Sequence, residues 1–162
     1  CVCVSGTMAF DPMTCVPSRV FVTRPDTDDD TRADGPWVHS ILVTPDGRLV
    51  MCDGGNSMVK VADVDTPTTT LQAVKLNSTP GKLALLRDGQ VAVTALEKRI
   101  YFLDVSGPPN VVSHVQTARL YYGVGSVMED DTLIVVCVND SDGPAGVYVM
   151  SRGGVVLKTL AD

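Results

Sequence analysis

Two histidines, five cysteines and a run of aspartates are the residues of this 162-residue chain whose types could do chemistry. His39 and His114 are the only imidazoles. A nucleophile, a base and an orienting acid must be in mutual contact for triad-type catalysis, and no spacing here places such a set around either histidine. The segment Asp26 to Gly35 sets carboxylates at loop positions matching Asp26, Asp28, Asp30 and Asp34. A calcium loop of that kind also needs a glycine where Thr31 stands and a bidentate glutamate where Trp37 stands. It reads instead as a solvated acidic loop, and Asn139 to Gly143 reads as a turn. Cys1, Cys3 and Cys15 supply three thiols to a metal that wants four ligands. Cys52 and Cys137 lie in apolar runs, where cysteine acts as a small hydrophobe. Gly123 and Gly125 lack the third glycine of a dinucleotide loop and sit in a strand pattern. No catalytic residue, metal or cofactor is assigned.

The elements that must position any site are defined by a repeat. Asp46-Gly47, Asp88-Gly89 and Asp130-Asp131 recur at an interval of 42 residues. Their neighbours keep step: Val43, Leu85 and Val127 precede the turns, and Leu49, Val91 and Leu133 follow them. A tandem unit of about 40–45 residues holding several short strands is the mark of a β-propeller blade. Strands are predicted at Val38–Thr44, Arg48–Cys52, Met58–Ala62 and Leu71–Leu76 in the first unit. The second has them at Lys82–Leu86, Gln90–Thr94, Arg99–Leu103 and Val111–Gln116. The third has them at Val124–Met128, Thr132–Val138, Gly146–Met150 and Val155–Leu160. Val, Leu and Ile fill these runs, Gly, Pro, Asp and Asn bound them, and no stretch holds a helical period.

The expected fold is therefore all-β, a partial propeller of three four-stranded blades at 37–77, 78–119 and 120–162. An irregular segment, 1–18, and a strand with the acidic loop, 19–36, come before them. The strand Arg19–Arg24 is expected to form the outer strand of the last blade and clasp the ring. Closed propellers hold about four to eight blades, so three imply a piece of a longer protein, or a ring completed by added blades or a partner. A spacing lengthened around Asp140 to Pro144 gives the third blade a longer loop.

The formal net charge is −6, with 13 basic residues scattered among 19 acidic ones. Nucleic acid is disfavoured, because phosphate backbones are bound by clustered Lys and Arg. No apolar run approaches the ~20 residues that span a bilayer. An odd cysteine count without a small-scaffold spacing points to free thiols and a cytoplasmic setting.

The first unit resembles an NHL repeat at Pro45, Asp46, Gly47, Asp53, Gly55, Asn56, Val59, Val61 and Asp63. The second keeps Pro80, Gly81, Asp88, Gly89, Ile100 and Asp104, but has Ala95 where the family has Asp. The third keeps less, with Cys137 at that position and Asp131 for glycine. The resemblance implies a six-bladed propeller like the C-terminal recognition module of tripartite-motif ubiquitin ligases, which selects a protein target and does not transfer ubiquitin. Asp46, Gly47, Asp53, Asn56, Asp88, Gly89 and Asp130 form the repeat signature.

The candidate binding residues are Trp37, His39, Arg119, Tyr121 and Tyr122, at or just before the innermost strands. Aromatic anchors on a rigid rim are common hot spots for protein partners. Trp37, Tyr121 and Arg119 are expected to be partly exposed on one face. The alternatives are a lactonase-like or lyase-like enzyme with an axial metal, for which the inner strands offer His39 and few carboxylates, and an RNA-binding NHL propeller, which the acidic balance opposes.

Overall fold

The computed structural model describes residues 37–64, 71–127, 132–137 and 143–161. Twelve strands and no helix occupy them: β1 Val38–Val43, β2 Arg48–Asp53, β3 Met58–Asp63, β4 Gln72–Lys75, β5 Pro80–Leu85, β6 Val91–Ala95, β7 Arg99–Asp104, β8 Asn110–Gln116, β9 Gly123–Val127, β10 Thr132–Cys137, β11 Gly146–Met150 and β12 Val156–Ala161. They form three antiparallel four-stranded meanders in sequence order, β1–β4, β5–β8 and β9–β12. Neighbouring sheets approach through their first strands, β1 beside β5 and β5 beside β9. The architecture is the all-β partial propeller expected from the repeat.

Alternation along each strand decides which residues meet. In the first blade, register pairs Val50 with Val61 and Cys52 with Val59; the equivalent pairs are Ala92–Phe102 and Thr94–Ile100 in the second, and Ile134–Val149 and Val136–Val147 in the third. These residues share one face, here the front, because side chains two apart point the same way. The back face carries Leu49–Ala62 and Met51–Lys60, then Val91–Leu103 and Val93–Tyr101, then Leu133–Met150 and Val135–Tyr148. The first blade's front and the second's back make one buried core, and the second's front and the third's back make the next. Each fully buried Val or Leu is worth about 1.5–3 kcal/mol, so a blade gains its stability mainly from its neighbour.

The predicted Asp-Gly turns close the first hairpins of blades one and two identically. Thr44 N–H donates to the Arg48 carbonyl, and Gly47 N–H donates to Thr44; Leu86, Gln90 and Gly89 repeat this in the second blade. Gly47 and Gly89 stand at φ of 84° and 83°, a region that a Cβ makes costly. The same bonding recurs at Ser151–Val155, with Gly154 at 84°, between β11 and β12. The outer strands β4, β8 and β12 are exposed along nearly their whole lengths.

Several expectations lie outside the described residues: the strand 19–24 and its clasping role, the acidic loop 26–34, Cys1, Cys3 and Cys15, the turn at Asp130-Asp131, and most of the loop around Asp140. No helix among the described residues is long and apolar enough to cross a membrane.

Candidate functional site

The innermost strands of blades one and two begin with a bulge, and the candidate site grows from it. Pairing jumps from Val38–Asp53 to Ser40–Cys52, leaving His39 without a partner across the ladder. In β5 it jumps from Pro80–Ala95 to Leu83–Val93, leaving Gly81 and Lys82 opposite Thr94. In β9 the pairing runs regularly from Gly123. A bulge re-aims side chains and frees backbone groups that must find other partners. Two of them find partners across the seam: the His39 carbonyl accepts from Lys82 Nζ (2.8 Å), and Leu83 N–H donates to Ser40 Oγ (3.3 Å). Lys82 N–H is satisfied within its own blade by Thr94 Oγ1 (2.9 Å). A side chain on Gly81 would strike Thr94 Oγ1 at 2.8 Å, which explains the glycine opposite that hydroxyl.

His39 is half-buried, and its ring lies against Trp37 at a centroid distance of 4.7 Å and a 35° tilt. Its Nε2 is shielded from solvent and makes no hydrogen bond. The ring fills the space where a Cβ on Gly54 would be, so the glycine lets it fold inward. Trp37 is 63% exposed. It is anchored by its backbone: its N–H donates to Asp53 Oδ1 (3.1 Å), and its carbonyl accepts from Gly54 N–H (2.8 Å).

Asp53 organises this corner. It is fully buried and also accepts from Asn56 Nδ2 (2.8 Å) and Asn56 N–H (3.3 Å), and it pairs with Lys60 Nζ at 2.6 Å. Burial pushes the carboxyl up, but the Lys60, Asn56 and Trp37 donors outweigh it and hold Asp53 below the usual carboxylate range. The Asp and Asn of the repeat signature thus tie the β2–β3 turn to the residue that precedes β1. Lys60 itself is 1% exposed. It escaped the sequence reading because it interrupts an apolar run by one residue; its register position, shared with Tyr101 and Tyr148, was the available signal.

The remaining candidates gather in the third blade. Tyr121 is 4% exposed, edge-on to Tyr148 at 6.3 Å in the core between blades two and three. The expectation that it is exposed is corrected: its ring packs into the seam. Arg119 is half-buried and donates to Tyr148 Oη (3.2 Å) and the Gly143 carbonyl (2.8 Å), holding the connection between these blades. Tyr122 is 45% exposed. Leu96, which sequence reasoning passed over, is 52% exposed, and its N–H donates to the Thr79 carbonyl. Trp37 precedes β1, Leu96 follows β6, and Tyr122 precedes β9. All three therefore lie at the same end of their blades, since β6 runs antiparallel to β5. The structure brings Trp37 and His39 into contact, and links Arg119 and Tyr121 through Tyr148.

His114 is exposed on β8 and lies over Tyr101 at 5.6 Å. No group of three His, Cys, Asp or Glu side chains suited to a metal occurs among the described residues. Cys52 is buried, which pushes its thiol up to about 12 against a smaller opposing pull from Lys82.

No family model and no curated relative matches this chain. Solved structures similar to it include the hydrazine synthase of Kuenenia stuttgartiensis (TM-score 0.65, 16% identity, 88% of this chain and 39% of that one). The β-propeller domain of Cps50 (Swd1) from Myceliophteria thermophila gives 0.64 at 15% identity over 88% of this chain and 50% of the other. A catalytically inactive virginiamycin B lyase from Staphylococcus aureus, solved with quinupristin, gives 0.60 at 14% identity over 79% and 42%. Together with the repeating sheets, this likeness defines a β-propeller domain. At such identities it concerns the fold alone, and the chain spans half or less of each of these structures.

Proposed function

We propose that this chain is a protein-interaction module, a set of NHL-like propeller blades that offers the β1-start end of the blades to a protein ligand. The observation that carries it is the exposure of one large apolar side chain from each blade at that end: Trp37, Leu96 and Tyr122. Each rests on a backbone fixed by hydrogen bonds, and rigid aromatic anchors suit partner recognition at low entropic cost. The repeat signature at Asp53 and Asn56 supports the NHL likeness, because it builds the platform under Trp37. In a parent protein of tripartite-motif type, this face would choose the target for ubiquitin transfer in the cytoplasm. The catalytic reading has less support, since the His39 ring lies against Trp37 and Gly54 and its Nε2 makes no hydrogen bond among the described residues.

The test is site-specific photocrosslinking from positions 37 and 122, with position 112 on the exposed outer strand as control. The same adduct from 37 and 122, absent from 112 and lost when Leu96→Asp is added, is expected. Adducts equal at all three positions would overturn the reading.

A further inference from the structure

Charges that lie scattered along the sequence are sorted by the fold. At the end of the blades where β1, β5 and β9 begin, Lys75 closes β4 opposite Met58, and Lys82 lies in the β5 bulge. Lys98 and Arg99 follow in the β6–β7 turn and at the start of β7, and Arg119 precedes β9. Lys75 and Lys82 are exposed, and the other three are half-buried. Asp53 is sealed against Lys60, so Glu97 is the carboxylate that reaches solvent here among the described residues. The opposite end carries Asp46, Asp63, Asp88 and Asp104, with Arg48, Arg87 and Arg152 between them. An acidic chain thus presents a basic rim at the end where Trp37, Leu96 and Tyr122 are exposed.

We propose that this rim takes an acidic peptide segment with apolar residues set between its carboxylates. The inference rests on the reading of this end as a protein-binding face, and it adds the chemistry of what is held there. Basic groups and apolar anchors are interleaved. Lys82 Nζ is fixed 2.8 Å from the carbonyl of His39, whose ring lies against Trp37, and Lys98 stands two residues beyond Leu96. Arg99 is held in place by Glu97 and by Gln116. Complementary charge of this kind steers a partner and fixes its register, while the apolar side chains supply affinity. Asp140, Asp142 and Asp162 belong by chain order to the third blade, whereas the basic residues gather on the first two and at the connection that follows. The acidic segment is therefore placed across the first seam, from Trp37 to Leu96. Nucleic acid is the poorer occupant. Leu96 offers no ring on which a base could stack, and Glu97 would oppose a phosphate. A long polyanion would also meet the field of a chain whose formal charge is −6.

The test captures phage-displayed random peptides on the full chain and reads the composition of those retained. Aspartate and glutamate should be enriched roughly threefold over the input, the scale of exposed ion pairs, and the enriched peptides should be released as salt rises. Trp37→Ala should abolish capture. Lys82→Glu with Lys98→Glu should erase the acidic preference or turn it basic. Lys82 also holds the His39 carbonyl, so Lys75→Glu with Lys98→Glu, which spares that bond, repeats the measurement on an undisturbed bulge. Arg87→Glu at the opposite end should change nothing. Retained peptides that are neutral or basic, yet still need Trp37, would overturn the inference and leave the protein-binding face standing. Absence of any capture that depends on Trp37 would overturn both. An oligouridylate that crosslinks from positions 37 and 122 and displaces the enriched peptides would overturn the proposal in favour of nucleic acid. Capture that appears only when Asp26, Asp28, Asp30 and Asp34 are changed to Asn would overturn it as well, since the chain's own acidic segment would then be the occupant.

Discussion

Arg152, in the turn between β11 and β12, reaches across the second seam to Asp88, with Nη1 2.7 Å from Oδ2. Its Nη2 donates to Gln90 Oε1, and its guanidinium lies 4.8 Å from the centre of the Phe102 ring. The first seam is bridged at the same end of the blades with the donor reversed. Arg48, beside the Asp46-Gly47 turn, donates Nη1 to the Val105 (2.5 Å) and Gly107 (2.9 Å) carbonyls of the second blade. At both seams an arginine joins the first turn of one blade to the last turn of the next.

Arg152→Ala should destabilise the chain by about 1 kcal/mol, the sum expected from a half-exposed ion pair and one cation–π contact. Urea unfolding measures it. A double-mutant cycle with Asp88→Ala should return a coupling below the full loss, because Phe102 and Gln90 are separate partners. Arg152→Lys should recover only part, as it cannot engage Asp88 and Gln90 together.

Asp53→Ala should cost about 3 kcal/mol, because it removes one charged partner from the buried Lys60 ammonium and the acceptor from the Asn56 and Trp37 donors. The pH dependence has a fixed sign. The folded carboxyl is held below its ordinary value by Lys60, Asn56 and Trp37 against the upward push of burial, so its contribution is complete above about pH 4 and is lost as pH falls further. Acid titration of stability should show this loss in the parent chain and a shallower one in Asp53→Asn.

Cys52 should resist iodoacetamide at neutral pH in the folded chain, as read by site-resolved mass spectrometry. Burial raises the thiol to about 12, so the folded state disfavours the thiolate. The stability this preserves is complete below about pH 8.5 and declines as pH rises from there towards the folded value. Cys52→Ala should remove that alkaline slope while costing about 1 kcal/mol or more through the smaller side chain. Labelling of Cys52 as fast as that of an exposed thiol would contradict its placement.

Gly54→Ala should destabilise by about 1–3 kcal/mol through overpacking against the His39 ring. His39→Ala in the same chain should restore most of the loss, because it empties the space that the new methyl group needs. Crosslinking from position 37 should weaken in the single variant and recover in the double, since Trp37 rests on that ring.

The strands and their turns were legible because the information is local. Apolar residues two apart and an Asp-Gly that tolerates positive φ need no knowledge of the neighbouring blade, and the 42-residue interval then sets the number of sheets. The rim was only partly legible. Trp37 and Tyr121 share a repeat position, yet one is exposed and the other fills a seam beside Tyr148. That difference depends on what the adjacent blade presents, which the interval does not encode. Arg152 was missed for the same reason, since its partner Asp88 sits on another blade, and Lys60 because one charge in an otherwise apolar run reads as noise until Asp53 is seen across the ladder. The bulge at His39 left no trace in the spacing, because a single unpaired residue in β1 is absorbed before the Asp-Gly turn.

The strand β6 serves two neighbours at once, with odd and even positions addressed to opposite blades. A single codon inserted just before Val91 would therefore send Val91 and Val93 toward the third blade and Ala92 and Thr94 toward the first, spoiling both joints together. Length in β6 should be far less forgiving than in the perimeter strands, where evolution has room to lengthen, trim or recolour the chain without disturbing any joint.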